Sequence, residues 1–412
     1  MPPVYRSGMP IDKVNVQLEP AGESDIPAMA ALWAEAFPEK PAERRNRELR
    51  EGLTYGDLTD CWLVRNQGRI AGALRTYRLA MHLHGRLLPT MGLAGVAVAP
   101  DFRRRGIGRQ MCVQALRIAH DRGDALCALY PFRTSFYREL GFTLAGELHR
   151  YRFNPQSGST YPGWDRVVRA PEEGARQARA IYDRVAPNTN GLLERSDRMW
   201  GFLNAPRTYL YLHLDPRGRA TGYIVVRGWG GPPEKSRLRV RELVAEDREA
   251  YLGLVGWLSV QKDQWGSIIY DALPGEDFHQ RLAHPRTEGT GAPRGLWFHS
   301  AAILRGPMVR VLNMSAIMEA ADGVERVENP NKLGVLSDGG LQIRDAQLEE
   351  NQGVWKDGER IDGALQGQAG SVLSINEATT AVLRGSLHGM PVSRGPAGTN
   401  LGLADLRILD EF

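Results

Sequence analysis

Lysine is scarce in this 412-residue chain: 6 lysines stand beside 46 arginines. The formal net charge is only +4, too little for this length to point to a nucleic-acid partner. Only three cysteines occur, Cys61, Cys112 and Cys127, and their spacing excludes a metal-ligand set. They read as small buried apolar residues of a reducing compartment. The 9 histidines are scattered, with no Ser-His-Asp arrangement and no metal-spaced cluster. No run of about 18 apolar residues is present, so no membrane span is expected. The N-terminus lacks an apolar h-region, so no signal peptide is expected either. A cytoplasmic location follows as the default, with secretion left open. No Gly-Lys dipeptide occurs, which removes a Walker A loop, and Gly-x-Gly-x-x-Gly is missing at the basic loop described next. The remainder is ordinary globular material, 42% hydrophobic and 24% charged, long enough for two or three domains.

What is present centres on residues 92–111. A short apolar run ending in Val96, Ala97 and Val98 reads as a buried strand. Pro100 stops it. Arg103, Arg104 and Arg105 follow, then Gly106 and Gly108. From Ile107 the period becomes helical, with Gly108, Met111, Cys112, Ala115 and Ala119 on one face and Gly123 as the stop. A strand, a basic glycine loop and a helix start together make an anion site, because the helix presents unpaired N–H groups and the positive end of its dipole. Glycine lets a ligand come close to the backbone. The loop Arg103-x-x-Gly106-x-Gly108 after this strand resembles the acetyl-CoA pyrophosphate loop of the GNAT N-acetyltransferases. The bland alternative is an arginine-rich turn before an ordinary helix.

The flanking elements fit that resemblance. Residues 14–18 alternate as a strand, and Ser24-Asp25-Ile26-Pro27 opens a helix carrying Met29, Leu32, Trp33 and Phe37. Residues 61–64 and 70–80 read as a hairpin around Gln67-Gly68, and His84-Gly85 marks another turn. Residues 125–130 form a buried strand. Ser135 is expected to cap a short helix, Phe136 to Leu140, ended by Gly141. Residues 154–163 read as a linker by composition. Beyond it, a helix over 171–182, a hairpin over 209–227, a strand over 239–243, a helix over 247–258 and a strand over 267–270 echo the first domain. They lack its basic glycine loop. Residues 273–294 mark a second boundary. Ser374-Ile-Asn-Glu377 is a capping box, and Leu403, Leu406 and Leu409 make an apolar repeat before Phe412.

An acetyl-CoA enzyme must hold the pyrophosphate and the pantetheine arm, deprotonate an amine, and protonate a leaving thiolate. Arg103, Arg104, Arg105, Gly106 and Gly108 suit the first task. The backbone of Val96, Ala97 and Val98 suits the second, as a sheet edge would, and Ser135 is a further cofactor contact. Tyr137 is the candidate acid: a phenol of pKa about 10 can donate to a thiolate of pKa about 8.5. Its alternative is a packed tyrosine whose hydroxyl meets water.

Val96-Ala-Val98-x-Pro100-x-x-Arg103-Arg104-Arg105-Gly106, Phe136-Tyr137-x-x-Leu140-Gly141-Phe142, residues 374–385 and the terminal Phe412 resemble the Eis (enhanced intracellular survival) family of aminoglycoside N-acetyltransferases. The resemblance spans nearly the whole chain, with the first two stretches specific. It departs in keeping Gly108 and in placing Arg138-Glu139 inside the tyrosine helix. It implies an α/β (α+β) chain of three parts: a GNAT domain over 1–155 that binds acetyl-CoA, a degenerate GNAT-like domain over 156–295, and a sterol-carrier-like domain over 296–412. It implies Tyr137 as general acid and the α-carboxylate of Phe412 as base. It also implies hexamers, and acetylation of several amines on one small polycationic acceptor. Acidic and aromatic residues should then line the acceptor pocket: Asp410 and Glu411, with Glu35 beside Trp33 and Phe37. No metal is called for. A lipid-binding or assembly protein with a vestigial loop, and acetylation of a protein lysine or amino terminus, are the competing expectations.

Overall fold

The computed structural model describes residues 16–287, 297–321, 341–356, 359–361 and 372–383. They divide into two compact units: residues 16–78 with 92–122, and residues 79–91 with those from 123 onward.

The first unit opens with strand β1 (Glu19–Pro20) and helices α1 (Ile26–Ala36) and α2 (Ala42–Glu51). Pro27 sits in the first turn of α1, where its missing N–H costs nothing. Asp25 precedes the helix but does not cap it. Its carboxylate instead accepts from the Gly22 amide at 3.0 Å and from Arg65 at 2.5 Å. Met29, Ala30, Leu32 and Trp33 form the buried stripe of α1. Strands β2 (Cys61–Asn66) and β3 (Arg69–Leu83) pair antiparallel around Gln67 and Gly68, both at positive φ, as a tight hairpin requires. Strand β4 (Arg86–Val98) completes the order β1-β2-β3-β4. Helix α3 (Ile107–Asp121) buries Ile107, Met111, Cys112, Ala115, Leu116 and Ala119, the helical period read from the sequence. It lies so close to β3 that a Cβ on Gly72 would meet the Met111 sulfur at 2.6 Å.

The second unit takes in the tip of the β3–β4 hairpin. There the Ala125 amide donates to the Pro89 carbonyl at 2.8 Å, leading into β5 (Leu126–Leu129). Helix α4 (Thr134–Arg138), β6 (Thr143–Leu144), β7 (Glu147–Phe153), β8 (Val167–Arg169), α5 (Gly174–Val185) and α6 (Asp197–Trp200) follow. Then come β9 (Thr208–Leu214), β10 (Ala220–Trp229), β11 (Arg237–Ala245), α7 (Arg248–Ser259) and β12 (Ser267–Ala272). Strands β13 (Ala302–Arg305) and β14 (Met308–Val311) precede helix α8 (Met314–Ala321). The last described elements are β15 (Leu341–Arg344), β16 (Gly353–Lys356), β17 (Glu359–Ile361), β18 (Leu373–Ser374) and α9 (Ile375–Leu383).

The large sheet runs β13-β7-β12-β11-β10-β9-β8. Its side chains alternate faces as a strand demands. Ile224 and Val226 join Leu254 and Trp257 of α7 in one core. Tyr223 and Val225 join Ile181 and Tyr182 of α5 in the other. Strands β11 and β12 are parallel, with α7 as the crossover between them.

Three features differ from the sequence expectation. Strand β7, read as the end of the first domain, pairs with β12 and β13 in the large sheet. Strands β13 and β14, read as the start of the third, pair with β7 and with β5 and β6. Chain order does not reveal such exchanges, because a strand's partner is fixed by tertiary packing. The supposed linker is also packed down: Ser259 donates to the Ser159 carbonyl at 3.0 Å, and a Cβ on Gly256 would meet the Tyr161 amide at 2.9 Å. The capping box at α9 is present: Ser374 N and Oγ donate to Glu377 Oε2 at 2.8 and 2.7 Å. Residues 384–412 lie outside the described part.

Candidate active site

Gly95 lies within β4 at φ 58°, the left-handed conformation typical of a strand bulge, which glycine adopts without strain. Trp33 holds the bulge. Its indole N–H donates to the Gly95 carbonyl at 2.5 Å, and a Cβ on Gly95 would meet Trp33 Nε1 at 3.1 Å. Behind the indole, Arg75 stacks its guanidinium 3.9 Å from the ring centroid. Arg75 is buried and donates to the Tyr77 hydroxyl at 3.2 Å. Burial raises the neighbouring Cys61 thiol to about 11 and the Tyr77 phenol to about 12. Both therefore stay neutral beside the cation at pH 7.

Beyond the bulge, Val96 and Val98 are half-buried and Ala97 is buried. The Ala99 amide returns to β3 through the Ala71 carbonyl at 2.9 Å. One turn of 3-10 helix, Pro100–Phe102, carries the chain into the loop. Arg103 Nε donates to the Val98 carbonyl at 3.1 Å, so this arginine pins the loop to the strand and the Val98 carbonyl already has a partner. Arg104 at φ 63° and Gly106 at φ 77° are both left-handed. Such a winding turns successive N–H groups to one side. Gly106 is the N-cap of α3 and offers no side chain to its first amides. Gly108 faces Val98, where a Cβ would stand 3.5 Å from Cγ2. Arg103, Arg104 and Arg105 are exposed, and Arg105 lies 5.5 Å from the Phe102 ring centroid. A bulged strand, a left-handed basic loop and an uncapped helix start fit a pyrophosphate-bearing ligand on their own chemistry.

The corresponding helix of the second unit is closed. Strand β11 ends at Ala245 and α7 begins at Arg248. Asp247 caps α7 by accepting from the Ala250 amide at 2.8 Å, and Glu249 adds a carboxylate to the first turn. The Asp247 carboxylate occupies the place an anion would take.

Two family descriptions, each an acetyltransferase (GNAT) domain, match this chain at residues 17–145 and 191–311. The N-acetyltransferase Eis of Mycobacterium tuberculosis is 29% identical over 286 residues, 63% of this chain and 65% of that protein. The chain carries two GNAT acetyltransferase domains and is similar to the Eis N-acetyltransferases. The match thus spans 65% of the length of the curated Eis relative. Solved structures share the fold. A GCN5-related N-acetyltransferase from Anabaena variabilis superposes with a TM-score of 0.70 at 18% identity, covering 92% of this chain and 98% of its own. Eis1 from Mycobacterium abscessus superposes with a TM-score of 0.67 at 18% identity, covering 94% and 97%.

The other residues singled out in this GNAT sequence fall as follows. Trp33 is fully buried, 0% exposed, so it shapes β4 rather than lining an acceptor pocket. Glu35 is exposed on α1, and Phe37 is half-buried under the Arg45 guanidinium, 5.9 Å from the ring centroid. Ser135 is exposed and lies inside α4 instead of capping it; Arg133 holds the cap position. Tyr137 is buried, 3% exposed, among Phe132, Phe136 and Phe142 at centroid distances of 5.5, 5.0 and 5.8 Å. Asp410, Glu411 and Phe412 lie outside the described residues. Gly95 went unremarked in the sequence, although an isolated glycine inside an apolar strand is a bulge signal. Among the described residues, no group of three or more His, Cys, Asp or Glu could hold a metal, and no helix is long and apolar enough to cross a membrane.

Proposed function

We propose that this chain transfers an acetyl group from acetyl-CoA to an amine of a small polycationic acceptor such as an aminoglycoside, at several positions of one molecule. The carrying observation is the contrast between the two crossover helices: α3 opens behind a bare left-handed Gly106, while α7 is capped by Asp247. The name of the Eis relative, an N-acetyltransferase, supports the activity.

Acetyl-CoA supplies the thioester. The amides at the start of α3, with Arg104 and Arg105, hold its pyrophosphate, and Arg103 fixes the loop. The edge of β4 at Val96 and Ala97 pairs with the pantetheine arm. Ser135 adds a cofactor contact. The α-carboxylate of Phe412 takes a proton from the acceptor's ammonium, the amine so freed attacks the thioester carbonyl, and Glu35, Phe37, Asp410 and Glu411 contact the cationic acceptor. As the C–N bond forms and the C–S bond breaks, Tyr137 gives its hydroxyl proton to the leaving sulfur. The domains are read as 1–155, 156–295 and a sterol-carrier-like 296–412, in a cytoplasmic hexamer.

The test is thiol release from acetyl-CoA against a panel of aminoglycosides, polyamines and lysine-bearing peptides. Turnover with aminoglycosides, and products carrying more than one acetyl group by mass, are expected. Turnover with peptides alone would replace the acceptor class. Absence of thiol release with every amine would overturn the function.

A further inference from the structure

Helix α4 is only 5 residues long, yet it carries Tyr137. A helix this short has no stability of its own. The turn after it meets the Ser135, Tyr137 and Arg138 carbonyls with the Glu139, Leu140, Phe142 and Gly141 amides, and side chains from far along the chain brace that turn. Asn376, at the start of α9, donates from Nδ2 to the Arg138 carbonyl at 3.0 Å and to the Phe142 carbonyl at 2.9 Å. Arg310 on β14 donates from Nη1 to the Leu140 carbonyl. Its Nη2 meets both oxygens of Asp345 at 2.7 Å.

Both side chains of the Arg310–Asp345 pair are fully buried, at 0% exposure. Asp345 is fixed in turn by the Gln347 and Leu348 amides and by Asn351 Nδ2, at 3.0, 3.2 and 3.0 Å. Gly141 makes room for this arrangement. It sits at φ 89°, and a Cβ there would run into the Arg310 guanidinium and stand 2.8 Å from Ile375. The braced turn closes on Tyr137 itself, whose carbonyl accepts from the Leu140 amide at 3.0 Å and the Phe142 amide at 3.1 Å.

We propose that Asn376 and the Arg310–Asp345 pair are positioning residues for Tyr137, acting together as a clamp on the proton-donor helix. The proposal rests on Tyr137 being the general acid. An acid works only when held to a fraction of an ångström, and α4 cannot hold itself. The clamp gives the C-terminal segment a part in catalysis that needs no lipid cargo.

Asn376→Asp tests it, because it keeps the side-chain shape and removes both N–H donors. The full chain is assayed by thiol release, with the amine that turns over fastest in the panel above, alone and in a Tyr137→Phe background. Expected are a fall in kcat of about 10-fold, a KM for acetyl-CoA within about twofold of the parent, and no further fall when Tyr137→Phe is already present. Asn376→Ser, which keeps one short donor, should fall between the parent and Asn376→Asp, and it serves if Asn376→Asp does not fold. An unchanged kcat in Asn376→Asp overturns the clamp, as does an equal loss in both backgrounds. Parental kcat in Tyr137→Phe alone removes the acid and the clamp together, which separates that failure from a failure of the clamp by itself.

Discussion

Trp33 shows how a residue's chemistry can be legible while its task is not. Its helical spacing in the sequence placed it on the apolar face of α1 beside Phe37, and both proximity and aromaticity suggested an acceptor wall. In the structure its N–H is spent on the Gly95 carbonyl, and its ring face is spent on Arg75. Trp33→Phe keeps a ring for the guanidinium but removes the N–H. The Gly95 carbonyl then loses this donor, a cost of about 0.5–1.5 kcal/mol. The expected outcome is a lower melting temperature together with a weaker kcat/KM for acetyl-CoA, since the bulge of β4 loses its anchor. A variant that melts lower but keeps the parental kcat/KM would show that the bulge holds its shape without the indole. Arg103 is a similar case. Its charge suggested phosphate contact alone, but Nε is committed to the Val98 carbonyl, so its loss should disturb the loop as well as the charge.

Strand β9 and helix α7 meet at His213, which is 1% exposed. Nδ1 of His213 lies 3.0 Å from Thr221 Oγ1, and Nε2 has no hydrogen-bond partner among the described residues. Gly163 and Gly253 leave the space its ring fills: a Cβ on either would stand 3.1 or 2.6 Å from it. Burial lowers its pKa, and the nearby Arg166 lowers it further, against opposing pulls from Glu249, Asp247 and Asp215. A base whose folded-state pKa lies below its unfolded value of about 6.5 takes its proton preferentially when unfolded. The fold is therefore favoured above about pH 6.5 and loses stability as pH falls below it. Thermal melts at about pH 7.5 and pH 5.5 should differ, and His213→Gln should narrow the gap; an unchanged gap would show that other groups carry the acid sensitivity. Most of these elements were readable from periodicity and turn chemistry, including the 209–227 hairpin and the Asp247 helix start. The partners of β7, β13 and β14 were not, because sheet order is settled by side chains far apart in sequence. The distant donors on the turn after α4 were hidden for the same reason: Asn376 and Arg310 are ordinary residues until folding brings them to Arg138, Leu140 and Phe142.

Two GNAT domains in one chain raise the question of how many cofactors it binds. The basic glycine loop was visible in the sequence before α3, and its lack before α7 was equally visible. The structure adds the physical reason, since Asp247 fills the helix end that an anion would need. One acetyl-CoA site per chain is therefore the central claim, with its pyrophosphate on the loop from Arg103 to Gly108. Titration calorimetry of the full chain with acetyl-CoA tests this most directly, alone and with Arg104→Ala. The account predicts one site per chain, weakened about 10- to 100-fold in the variant by loss of a charge-assisted contact of about 1.5–3 kcal/mol. Two sites per chain, or one site whose affinity is indifferent to Arg104, would contradict it.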